Sequence, residues 1–153
     1  MTYKNITSPK EGMATLFEDI LKRGVDLRVS VTGRSMSPFI KSGDTVTIRK
    51  VTADRLIIGD LVFFRSRFGL PMLHRLIRIK KSEKGGKLFR TKGDALSVFD
   101  EPFAEQSLIG KVFSIEKASK CEGRIHGLDM ASLKWRTINF IIAGLSGLGL
   151  RIC

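Results

Sequence analysis

Apolar residues fall at helical spacing near the start of the chain and then switch to the alternation of strands. Met13, Leu16, Phe17, Ile20 and Leu21 recur every three or four positions, which predicts one amphipathic helix. Ahead of them, Ser8-Pro9-Lys10-Glu11 supplies an N-cap, a proline at the first helical position and a glutamate at the third; Gly24 stops the run. The predicted helix covers 8–23. No second helical pattern follows it, so the segment is not a helix-turn-helix.

From Leu27 the period becomes two. Leu27, Val29 and Val31 alternate with Arg28, Ser30 and Thr32, and Thr45 to Lys50 alternates again with Val46, Ile48 and Lys50 on one side. Leu61 to Phe64 is a continuous apolar run, which predicts a strand buried on both faces. Met72 to Lys80, Leu88 to Thr91 and Leu108 to Glu116 complete about six strands. Turn signals separate them at Ser42-Gly43-Asp44, Ile58-Gly59-Asp60, Lys84-Gly85-Gly86 and Lys92-Gly93-Asp94. Short strands punctuated by glycine turns predict a mainly β domain with a coiled, partly barrel-like sheet. A second helical pattern closes the chain over 129–150. Asp129 is its candidate cap, and Leu133, Ile138, Ile141, Ile142 and Leu145 are its apolar positions.

Composition narrows the function classes. With 153 residues the chain is one domain, of which 27–116 forms the core. Lys plus Arg number 27 against 15 Asp plus Glu, a net charge of +12 that favours an anionic neighbour. The basic residues are scattered and aromatic interleaving is sparse, so the expectation is against nucleic acid. Cys121 and Cys153 are too few for a disulfide scaffold and are not spaced as metal ligands; neither a metal nor a cofactor is expected. The start has no apolar core for a signal peptide. The longest uncharged stretch, Thr137 to Leu150, falls short of the ~20 apolar residues of a membrane span. The expected location is the cytoplasm or the inner membrane surface. Lys134, Trp135, Arg136 and Arg151 flank the C-terminal segment as they would an interfacial helix.

The candidate chemistry lies at Thr32-Gly33-Arg34-Ser35-Met36-Ser37-Pro38. A serine after a strand and a glycine sits where the chain turns sharply, so its hydroxyl is exposed and backbone N–H groups can converge beside it, as acyl transfer requires. Its neighbours Gly33, Arg34, Met36 and Pro38 are the candidates for holding a substrate. Such a serine needs a base. Of the two histidines, His126 lies in a charged, glycine-flanked loop, whereas His74 interrupts an apolar strand, where a titratable ring is costly without a partner. A histidine suits general-base work near neutral pH and must itself be oriented by a third group. Asp94 and Asp100 both qualify on this ground.

These blocks in order, Gly33 to Pro38, Ser42-Gly43-Asp44, Gly59-Asp60-Leu61-Val62-Phe63, His74-Arg75-Leu76-Ile77 and Lys92-Gly93-Asp94 with Asp100, resemble type I signal peptidase across 29–116. The Lys-Gly-Asp with a second aspartate six residues on is similar to the endoplasmic-reticulum and archaeal branch, in which a histidine replaces the usual lysine base. The resemblance implies Ser35 as nucleophile, His74 as general base and Asp100 as the group that orients it, with Asp94 as an alternative or supporting acid. It implies an antiparallel sheet of the signal peptidase type and cleavage of a precursor peptide after small residues. Three departures accompany it, one being that Leu96 to Phe99 is more apolar than the Asn-rich loop usual there. No transmembrane anchor is expected ahead of Ser35, where the amphipathic helix stands instead. Gly33-Arg34 is closer to the self-cleaving SOS-type repressors of the same superfamily, which use lysine as base and carry a DNA-binding domain.

The sequence therefore predicts a serine endopeptidase acting on a leader or signal-like segment. The alternatives are a catalytically silent binding protein on the same fold and a self-cleaving regulator cut between Ser114 and Gly127.

Overall fold

The computed structural model describes residues 9–83, 85–118, 127–130 and 132–148. Ser8, Cys121, His126, Cys153 and most of the 114–127 segment lie outside these residues. Helix α1 spans Pro9–Lys22. Eight strands follow among the described residues: β1 Leu27–Ser30, β2 Thr45–Arg49, β3 Leu61–Arg65, β4 Pro71–Lys81, β5 Lys87–Lys92, β6 Phe103–Ala104, β7 Leu108–Glu116 and β8 Gly127–Asp129. Helix α2, Leu133–Gly147, comes last. The predicted mainly β architecture with a helix at each end is the observed one, and the six strands expected are six of the eight. The two that periodicity missed, β6 and β8, are two and three residues long, too short to show alternation.

All pairings are antiparallel, in the order β1-β2-β7-β3-β4-β5-β6, with β8 also on β7. Strand β7 is the seam: its first half pairs β3 from Leu108 to Lys111, and β8 takes up its end from Ser114 to Glu116. Register breaks in β2–β7, β3–β7 and β4–β5 are bulges of the kind that coil a sheet.

Strand β3 is apolar without alternation because it faces two cores. Leu61 and Phe63 enter one with Met36, Ile40, Val46, Ile48, Ile109 and Val112; Val62 and Phe64 enter the other with Leu56, Leu76, Phe89 and Leu108. Helix α1 closes the first core with Ala14 and Leu21, while Phe17 lies 5.6 Å from Phe63. Arg65 ties the helix down through Glu18 at 2.7 Å. Met13 and Leu16 remain exposed, so the buried face of α1 is narrower than the sequence stripe suggested.

Two expectations need correction. Asp129 belongs to β8, and the hydroxyl of Ser132 accepts from the Trp135 N–H at 3.5 Å instead. Lys50 lies past β2 and is exposed. Helix α2 buries Asn139, Ile142 and Ala143 and leaves Phe140, Ile141 and Leu145 exposed, with Leu148 exposed just past its end. No helix among the described residues is long and apolar enough to cross a membrane.

Candidate active site

Ser35 stands in the turn that follows β1. Gly33, with φ of +107°, reverses the chain there, a conformation that favours glycine over residues with a Cβ. The turn is held from the far side of the site. The Ser35 carbonyl accepts from Ala95 N–H at 2.9 Å, and Gly93 passes so close that a Cβ on it would lie 2.7 Å from that oxygen.

His74 lies within β4, directly opposite Val62 of β3, and is buried. Its Nε2 is 3.1 Å from Ser35 Oγ and its Nδ1 is 2.6 Å from Asp100 Oδ2. With the proton on Nδ1 donated to the carboxylate, Nε2 is the acceptor for the serine hydroxyl. Serine, imidazole and carboxylate thus form one hydrogen-bonded chain. Asp100 is itself fixed by β5: Thr91 Oγ1 donates to its Oδ2 at 2.7 Å, and its N–H donates to the Thr91 carbonyl at 2.9 Å. Thr91 is fully buried. It escaped the sequence reading because a threonine in a strand carries no signal of its own.

Asp94 has a different partner. Its two oxygens accept from Arg75 Nε at 2.8 Å and Nη2 at 2.7 Å, and both residues are fully buried. Arg75 Nη1 also donates to Asn139 Oδ1 of α2 at 2.6 Å and to the Gly59 carbonyl at 3.0 Å. This bidentate pair locks the 93–95 turn, which in turn holds the Ser35 carbonyl. Asp94 is therefore on Arg75 rather than on His74.

A cavity of about 420 Å³ opens beside Ser35 and His74. Val29 of β1, Val31 just past it, Met36, Phe63 and Leu73 line it, together with Met13 and Phe17 of α1. Of the residues expected to hold substrate, Gly33 and Met36 line this cavity. Arg34 is exposed outside it, and Pro38 borders a separate cavity with Trp135 and Asn139, because the turn carries the chain past Met36 toward the other side of the molecule.

No family model matches the chain. The signal peptidase complex catalytic subunit SEC11C of human, mouse and dog is 32% identical over 73 residues, which is 47% of this chain and 38% of SEC11C. The matched stretch thus spans well under half the length of these curated relatives. The likeness is to the signal peptidase family as a whole, at low and partial identity.

Proposed function

We propose that the protein is a serine endopeptidase of the signal peptidase type that removes a leader or signal-like segment from a precursor. The observation that carries this reading is the chain Ser35 Oγ, His74 Nε2, His74 Nδ1 and Asp100 Oδ2, with links of 3.1 Å and 2.6 Å. Ser35 Oγ attacks the scissile carbonyl while its proton passes to His74 Nε2. Asp100 stabilises the imidazolium that forms. The Ser35 N–H, which has no backbone partner among the described residues, is a donor for the oxyanion. Collapse expels the amine, which takes the proton from His74, and leaves an acyl ester on Ser35. Water activated by the same imidazole then hydrolyses that ester. The catalytic residues are Ser35, His74 and Asp100. Asp94 is a positioning residue, and Gly33 and Met36 form part of the acyl-side cleft. Small residues before the cut are the expected preference.

The same proposal includes attachment to an anionic membrane surface. Phe140, Ile141, Leu145 and Leu148 are 63%, 56%, 43% and 77% exposed, and the chain has a net charge of +12.

A fluorophosphonate probe tests the enzyme reading. Labelling should occur in the wild type and vanish in Ser35→Ala without change of fold. Labelling that persists in folded Ser35→Ala overturns the assignment, and a wild-type protein that never labels favours a silent binding protein on this fold.

A further inference from the structure

A second cavity, of about 390 Å³, lies on the other side of the triad. Phe64, Phe68, Met72, Phe103 and Asp100 line it, and Arg65 is at its wall. Met72 also lines the cleft at Ser35, so the two cavities meet across that side chain. Asp100 borders only this second one, and Ser35 borders only the first.

That placement has a chemical direction. When the tetrahedral intermediate collapses, the histidine gives its proton to the departing nitrogen, so the leaving segment lies on the histidine side of the serine. A cavity reached past His74 and bordered by the carboxylate behind it faces the leaving segment and not the acyl group. We infer that this cavity is the subsite for the residues after the scissile bond and that it takes a large apolar or aromatic side chain. The inference rests on the peptidase reading for its direction.

The lining fits that occupant. Phe64 and Phe103 stack with ring centroids 4.3 Å apart and planes 2° from parallel. They are braced by Phe89, 5.7 Å from Phe103. Phe68 is 65% exposed, with the Arg67 guanidinium 4.6 Å from its ring centroid. Offset and edge contacts with such rings favour an aromatic or branched aliphatic guest, and the flexible thioether of Met72 adapts to either.

Two measurements test the subsite. In the first, peptides that vary only in the three residues after the bond are ranked by kcat/KM. At one of those positions Phe or Leu should exceed Gly by about tenfold, the scale on which an apolar pocket discriminates. That ratio should fall below about threefold in Phe68→Ala and in Ser107→Trp, which would fill the cavity. A flat profile, or a preference that survives both substitutions, overturns the inference. In the second, isotope-labelled Ser35→Ala protein is titrated with the dipeptide amide Phe-Ala-NH2 and followed by backbone amide shifts. Changes confined to 66–68 and 103–107 are expected, and changes elsewhere or none overturn the assignment. The second measurement needs no turnover. Ser35 labelling without binding here would sink the subsite alone, and binding here without labelling would sink the peptidase reading alone.

Discussion

Neighbouring residues on a strand point to opposite faces, and this explains how two aspartates of one loop come to different work. His74 and Arg75 are consecutive in β4, so one presents its ring to Ser35 and the other its guanidinium to the interior. Asp100 meets the ring and Asp94 meets the guanidinium. The two substitutions should therefore separate. Asp94→Asn leaves a fully buried Arg75 with a neutral partner, and breaking a buried pair costs about 3–5 kcal/mol. Asp100→Asn, at a side chain 17% exposed, should cost little stability but remove most of the Ser35 reactivity. Urea unfolding and fluorophosphonate labelling rates, measured on both variants, check this; equal loss of stability in the two would show that Asp94 is not the structural member. Ser35 and His74 were visible in the sequence because a serine after a glycine turn and a histidine within an apolar strand are both out of place without a use. The choice between the aspartates was not visible in the residues themselves and came only from the family resemblance. It depends on the β4–β5 register, which breaks between Leu76 and Arg78 and sets Thr91 opposite Leu76, and no local pattern encodes a bulge.

Elements are joined at turns that look alike in the sequence. All three Gly-Asp pairs predicted as turns lie in turns, and in two of them the aspartate closes its own turn: Asp44 accepts from Lys41 N–H and Asp60 from Ile57 N–H, both at 2.9 Å. At the third, Leu96 N–H closes the turn on the Gly93 carbonyl at 3.0 Å, and Asp94 serves Arg75 instead. Asp44 does more than close its own turn, because it also fastens the chain leaving β7. Its Oδ1 accepts from Ala118 N–H at 3.0 Å and its Oδ2 from Lys117 Nζ at 2.9 Å. Burial alone would raise this carboxyl, but the N–H groups of Lys41 and Ala118, with the Lys117 ammonium, outweigh it and hold it below the ordinary carboxylate range. A depressed folded value means that the unfolded chain binds the proton more readily. The stabilisation is complete above the unfolded value of about 3.9 and is lost as pH falls through the folded one. Asp44→Asn should be less stable than wild type at pH 7 by about 2 kcal/mol, the scale of a charged hydrogen bond, with the gap shrinking below about pH 4. Denaturant midpoints across that range give the answer, and a gap that stays constant into acid would mean that the carboxylate charge is not what fastens β7.

At the scale of the whole molecule, α2 has two different faces that one apolar pattern could not distinguish. Its inner face is spoken for: Asn139 reaches Arg75, and the helix backbone at Asn139 comes so near Gly59 that a Cβ there would lie 2.8 Å from it. Its outer face is unpaired among the described residues. Ile141, Leu145 and Leu148 follow at i, i+4 and i+7, with Phe140 beside them and exposed Lys134 and Arg136 near the start of the helix. Between α2 and β4, a cavity of about 360 Å³ adds Ile58, Phe99, Arg78 and Arg90 to that side. Val98, 72% exposed, lies just ahead of Phe99 on the loop that ends at Asp100. Apolar side chains edged by cations are what an anionic lipid surface accommodates, the former entering the acyl boundary and each of the latter adding roughly 1 kcal/mol near the headgroups. Attachment through this face would hold the loop that carries Asp100 near the membrane. Flotation with phosphatidylserine-containing vesicles should recover the protein at low salt and part of it at high salt, because screening removes the charge contribution and not the apolar one. Ile141→Ser with Leu145→Ser should abolish the salt-resistant part and leave Ser35 labelling intact. A protein that stays in the aqueous fraction at low salt would leave this face to another partner.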